Sequence, residues 1–121
     1  MLTQFSFHAP SFVVSERNGC TKTGGLLKSY GAEGKVLLVC GSRTSGLGLL
    51  DPVVDSVRAA GLEPVVFDKS LPDAPVEVVR EGLQVAKREG VSAVVAFGGG
   101  SAMDTAKAIA CMAHLEGDVL D

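Results

Sequence analysis

Three short valine-rich runs punctuate the chain: KVLLVCG from Lys35 to Gly41, EPVVFD from Glu63 to Asp68, and SAVVAFG from Ser92 to Gly98. Each is nearly continuously apolar rather than alternating. That pattern predicts strands buried on both faces, as in a parallel sheet. A shorter run, SFVVS from Ser11 to Ser15, predicts an edge strand. Between the runs, apolar residues recur at helical spacing. Val53, Val57 and Ala60 form one stripe, which Gly61 ends. Val76, Val79, Leu83 and Ala86 form a second, with Pro75 near its start, Lys87 and Arg88 in its last turn and Gly90 after it. Met103, Ala106 and Ala110 line a third, in a helix beginning near Ser101. Leu26, Leu27 and Tyr30 predict a first helix closed by Gly31, against the helix-weakening effect of Gly24 and Gly25 inside it.

Strands and helices alternate, so the expected fold class is α/β: a Rossmann-like wound sheet of mostly parallel strands with right-handed crossovers. No internal repeat, low-complexity tract or linker interrupts residues 1–121. The final EGDVLD resembles no finishing element, so the domain reads as incomplete.

Composition narrows the function classes. The net charge is −3 and aromatic residues make up 5% with no tryptophan. Nucleic-acid surfaces are basic and often aromatic, so a nucleic-acid partner is not expected. The cysteines, Cys20, Cys40 and Cys111, have no paired spacing and read as reduced intracellular thiols. MLTQFSFHAP lacks the basic and apolar regions of a secretory signal. No apolar run approaches the ~20 residues that span a bilayer. A cytoplasmic protein without membrane contact is the expectation.

Candidate chemistry centres on VVAFGGGSAMDTAK, from Val94 to Lys107. Gly98, Gly99 and Gly100 fall where a parallel strand ends and a helix begins, the edge at which open α/β sheets bind ligands. A bare backbone lets a ligand approach closely. The first helical amides lack internal partners, and the helix dipole adds about half a positive charge there. A phosphate or pyrophosphate would satisfy both. Ser101 fits a helix cap, with Ser101-x-x-Asp104 as a capping box. The rival reading is a plain flexible turn before a well-capped helix, and residues alone leave both open.

Two named fingerprints fail. G-x-G-x-x-G is met at Gly98 and Gly100, but Met103 takes its third glycine position. Gly41 to Gly46 has P-loop spacing, but Leu47 replaces the lysine. A second placement of the dinucleotide site uses Gly41, Gly46 and Gly48, with Asp68 roughly twenty residues on to meet a ribose. There the last glycine slot holds Asp51. Cys111 and His114 lie one turn apart, but two ligands without a third do not make a metal site.

GGGSAMDTAKAIA resembles the glycine motif of the iron-containing alcohol dehydrogenases, Gly-Gly-Gly-Ser-x-x-Asp-x-x-Lys. KVLLVCG, GLLDPVVDSVRAAGLEPVVFD and PDAPVEVVREGLQVAKREGVSAVVAFGGGS resemble, in order, the family's segments leading to that loop. Glycerol dehydrogenases often carry lysine where Ser101 stands, maleylacetate reductases often carry glycine where Asp104 stands, and dehydroquinate synthases usually lack a counterpart of Lys107. Each difference favours the alcohol dehydrogenase branch.

The resemblance implies an NAD(P)-dependent oxidoreductase acting on a small alcohol or aldehyde, of which this chain is the N-terminal nucleotide-binding domain. Gly98, Gly99, Gly100 and Ser101 match the loop that meets the cofactor pyrophosphate, and Asp104 matches the motif acid. For Asp104 the rival role is a first-turn acid serving the helix dipole, and for Lys107 an ion pair within its helix. Family members place their iron or zinc ligands in a helical C-terminal domain, which this chain does not contain. His8 and His114 match no ligand position, so no metal site and no catalytic residue are expected here. The early glycine loop of the family is also altered, since ERNGCTKTGG keeps Gly19 but little else. Many NAD-using members carry aspartate where Gly41 stands. Gly41 with Ser42 and Arg43 therefore leans the expectation towards NADP, with NAD permitted. For Arg43 the alternative is a solvated loop residue. A different-class reading is a non-catalytic nucleotide-binding or dimerisation module, with a homodimer formed through the SFVVS strand.

Overall fold

The computed structural model describes residues 14–113. A 3-10 turn, Gly19–Lys22, leads into α1 (Thr23–Ser29). Then follow β1 (Lys35–Val39), α2 (Ser42–Gly46), α3 (Asp51–Ala59), β2 (Glu63–Phe67), α4 (Val76–Glu89), β3 (Ala93–Ala96) and α5 (Gly100–Met112). The strands form one parallel sheet in the order β2-β1-β3. The fold is the expected Rossmann-like α/β arrangement. Of SFVVS, Ser11 to Val13 lie outside the described residues, as do His8, His114 and EGDVLD; Val14 and Ser15 carry no strand.

β1 is central, and Val36 through Val39 are wholly buried. Its side chains alternate between two cores. Val36, Leu38 and Cys40 pack with Leu50, Val53, Val57 and Leu62 on the α3 side. Leu37 and Val39 pack with Phe67, Val78, Val79, Ala86, Ala106 and Ile109 on the α4–α5 side. Burial on both faces accounts for the unbroken apolar run, because each alternate residue meets its own helix layer. Each such leucine contributes about 1.5–3 kcal/mol.

The helices match the periodicity with three differences, at α1, α5 and α2. At α1, Tyr30 falls outside the helix as its C-cap and is exposed rather than part of a buried stripe. On α4, Val79, Leu83 and Ala86 are buried as expected, joined by Val78 and Gly82. On α5 the buried face is Ala102, Thr105, Ala106 and Ile109, whereas Met103 and Ala110 are exposed. The stripe drawn through Met103, Ala106 and Ala110 is therefore rotated from the true one. Thr105, although polar, belongs to the buried face. Its hydroxyl donates to Ser101 O at 2.8 Å, which allows it to be buried without an orphaned polar group. α2 was not anticipated, since GSRTSG has no apolar stripe.

Gly24 is the reason α1 tolerates an interior glycine. A Cβ there would lie 2.1 Å from the Ser56 carbonyl oxygen. α1 and α3 approach this closely because the Ser56 hydroxyl links them. It accepts from Gly24 N at 2.9 Å and donates to Thr21 O at 2.7 Å.

Candidate functional site

The sheet carries a switch point at its carboxyl edge. The loop after β1 leads to α3 on one face, and the loop after β3 leads to α5 on the other. A crevice opens where adjacent connections diverge in this way. Backbone bonds hold its rim. Cys40 N donates to Phe67 O at 3.0 Å, Phe97 N to Val39 O at 2.9 Å, and Ser70 N to Cys40 O at 3.1 Å.

Between these loops lies a cleft of about 250 Å³, lined by Gly41 and Thr44, by Ser70 to Pro72, and by Phe97 to Ala102. Gly98 has φ +136°, a conformation that glycine adopts and other residues resist. Gly99 and Gly100 are different. Gly99 has φ −88°, and a Cβ at either position would meet no atom of the described residues within 4 Å. Neither backbone strain nor the chain's own packing requires these two to be glycine. Their bareness faces open space in the cleft, which suits the approach of a ligand.

α5 begins at Gly100 with Gly99 as its N-cap, and no side chain caps it. This corrects the expected capping box: Ser101 lies inside the first turn, where its carbonyl accepts from Thr105. The first bond of the helix runs from Met103 N to Gly99 O at 3.1 Å. The amides of Gly100, Ser101 and Ala102 therefore have no intrahelical acceptor. With the dipole they present a positive end to the cleft. A pyrophosphate fits this cradle by its charge and by the free approach over Gly99 and Gly100.

The structure brings together Gly41, Gly98, Gly99, Gly100 and Ser101 of the expected site residues. Ser42, Arg43 and Asp104 are exposed and lie outside the cleft lining. Asp104 is exposed and lies beyond the first turn of α5, which contains no acidic residue, so the first-turn acid expected at this position is not found. Thr44 and the Ser70–Pro72 segment had no sequence signal of their own. Position is what could have found them, since every loop at the carboxyl edge next to a switch point is a contact candidate. Beneath the cleft, burial pushes the Cys40 thiol up from its ordinary value, with the Asp68 carboxylate adding to the shift. Cys40 is thus a protonated packing residue rather than a nucleophile.

Among the described residues no group of three or more His, Cys, Asp or Glu converges on a metal position. The Cys111–His114 pair falls partly outside them. No helix among the described residues is long and apolar enough to cross a membrane.

Residues 10–121 match the family model described as iron-containing alcohol dehydrogenase. The chain belongs to the iron-containing alcohol dehydrogenase family. Among its relatives, a choline dehydrogenase of Bacillus subtilis is 40% identical over 96% of this chain and 29% of its own length. An NAD-dependent methanol dehydrogenase of Bacillus methanolicus is 38% identical over 96% of this chain and 30% of its own. The crystal structure of an NADH-dependent butanol dehydrogenase from Thermotoga maritima superimposes with a TM-score of 0.86 at 38% identity, covering 98% of this chain and 30% of that one. The chain thus spans less than a third of the length of these iron-containing alcohol dehydrogenase relatives.

Proposed function

We propose that the chain is the N-terminal NAD(P)-binding domain of a cytoplasmic alcohol dehydrogenase or aldehyde reductase, and that the cleft holds the dinucleotide. The observation that carries the reading is the pair Gly99 and Gly100, bare without any internal need, at the uncapped start of α5. The amides of Gly100, Ser101 and Ala102 bind the pyrophosphate. Gly98 turns the chain so that they face it, and Gly41 and Thr44 border the opposite side. The bound nicotinamide supplies hydride transfer to or from a small alcohol or aldehyde. The described residues do not fit a metal, and iron or zinc ligands belong in this reading to a helical C-terminal domain. The free cysteines Cys20, Cys40 and Cys111 accord with a reducing compartment.

Among the described residues the cleft lining contains no carboxylate. Nothing in it would repel a 2′-phosphate, which supports admission of NADP. Relatives named for NAD or NADH support NAD. Arg43 lies outside the lining, so its contribution requires the side chain to swing towards a bound phosphate.

One experiment tests the reading. NADH and NADPH are titrated against the full-length protein, Gly99→Val and Arg43→Ala. Gly99→Val is expected to lose at least about tenfold in affinity for both, the equivalent of one charge-assisted hydrogen bond, with its melting temperature kept. Arg43→Ala is expected to weaken NADPH selectively. Unchanged binding by a folded Gly99→Val protein would remove the pyrophosphate assignment. An unchanged NADPH/NADH ratio in Arg43→Ala would remove the role of Arg43.

A further inference from the structure

One wall of the cleft, Ser70 to Pro72, follows β2 and leads to Pro75 at the start of α4. Its backbone is unusual. Asp73 and Ala74 are consecutive non-glycine residues in the left-handed region, with φ +64° and +43°. Aspartate enters this region fairly readily, whereas alanine holds it only when its surroundings impose it. The wall is fastened in three places. Ser70 N donates to Cys40 O at 3.1 Å, and Ala74 N closes a turn onto Leu71 O at 3.2 Å. Lys69, directly before the wall, pairs with Glu81 in the second turn of α4. The hydrogen bond to Glu81, and then the charge of Glu81, hold the Lys69 ammonium above the usual lysine value.

We propose that the Lys69–Glu81 ion pair is a positioning latch that sets the Ser70–Pro72 wall against the glycine loop and so tunes nucleotide affinity. The proposal rests on the nucleotide reading of the cleft. Neither residue lines the cleft, so both act through the wall. The side chains are 59% and 46% exposed, so the pair adds little to global stability. Its effect is therefore separable from folding: loss of the latch loosens a binding wall without melting the domain.

The test is fluorescence titration of NADH against the full-length protein, with melting temperature measured alongside. Lys69→Met and Glu81→Gln are each expected to weaken NADH about threefold at an unchanged melting temperature. The double variant should be no weaker than either single one, because the same contact is lost only once. The reversed pair, Lys69→Glu with Glu81→Lys, should recover most of the affinity because the contact is restored, whereas a merely structural pair would move the melting temperature in the single variants and leave affinity in the folded protein unchanged. Unchanged affinity in both single variants, additive losses, or no recovery on reversal would overturn the latch. If Gly99→Val still abolishes binding in those cases, the cleft assignment stands. A parent protein that binds neither NADH nor NADPH overturns both.

Discussion

Single residues divide into those answering to the fold and those answering to the cleft, and the glycines show the distinction best. Gly24 belongs to the fold, because the Ser56 carbonyl occupies the space of its missing side chain. Gly24→Ala is expected to push α1 away from α3 and cost about 3 kcal/mol, measured by urea denaturation, with NADH affinity unchanged in the folded fraction. Gly99 and Gly100 belong to the cleft, with open space at both Cβ positions. Substitution there should do the reverse, weakening binding while sparing stability. In the sequence all three are simply glycines. Gly24 even argues against the helix that contains it, because propensity says nothing of a neighbouring backbone. Arg43 shows the same limit on a side chain: its charge type suits a phosphate, yet the backbone carries it to the solvent side of the cleft rim.

Elements are tied together by polar contacts at their ends. Lys35 at the start of β1 pairs with Glu89 at the end of α4, Nζ to Oε2 at 2.7 Å. The hydrogen bond to Lys35, and then its charge, hold the Glu89 carboxyl below its ordinary value, while the same partner raises Lys35. A depressed carboxyl contributes stability above its unfolded pKa and loses it as pH falls through the folded value. A raised lysine contributes below its unfolded pKa and loses it as pH rises through the folded value. Glu89→Gln should therefore be slightly less stable than the parent across about pH 5 to 9, with the gap closing towards both extremes. Thermal denaturation across that range checks this, and added salt should shrink the gap, since the pair is partly exposed. At this scale the sequence spoke clearly for α3 and α4, whose stripes and glycine stops coincide with the structure. It misplaced the face of α5, because alanine on both sides leaves only a weak periodicity. It also overlooked α2, which is too short to have one.

At the scale of the molecule, the sheet order brings three loops to one edge, where the proposed cofactor cleft lies. The cleft residues include no metal-ligating set. On the proposed function, removing metal from the full-length protein with a chelator is expected to abolish turnover of alcohol while leaving NADH affinity unchanged. Parallel loss of both activities would show that a metal ligand reaches the cleft.

The sequence by itself determined the three strands of the sheet, most of the helices, the family and the position of the glycine loop. Each of these is written in contiguous residues: a doubly buried strand must be continuously apolar, and the glycine loop is three consecutive glycines directly before a helix. The strand order, the Ser70–Pro72 wall, the place of Thr44 and the Lys69–Glu81 contact were decided by the tertiary structure alone. The partners in those contacts stand far apart along the chain, or on loops whose own residues carry no periodicity. Only the crossing of β1, β2 and β3 in the order 2-1-3 carries them to one edge.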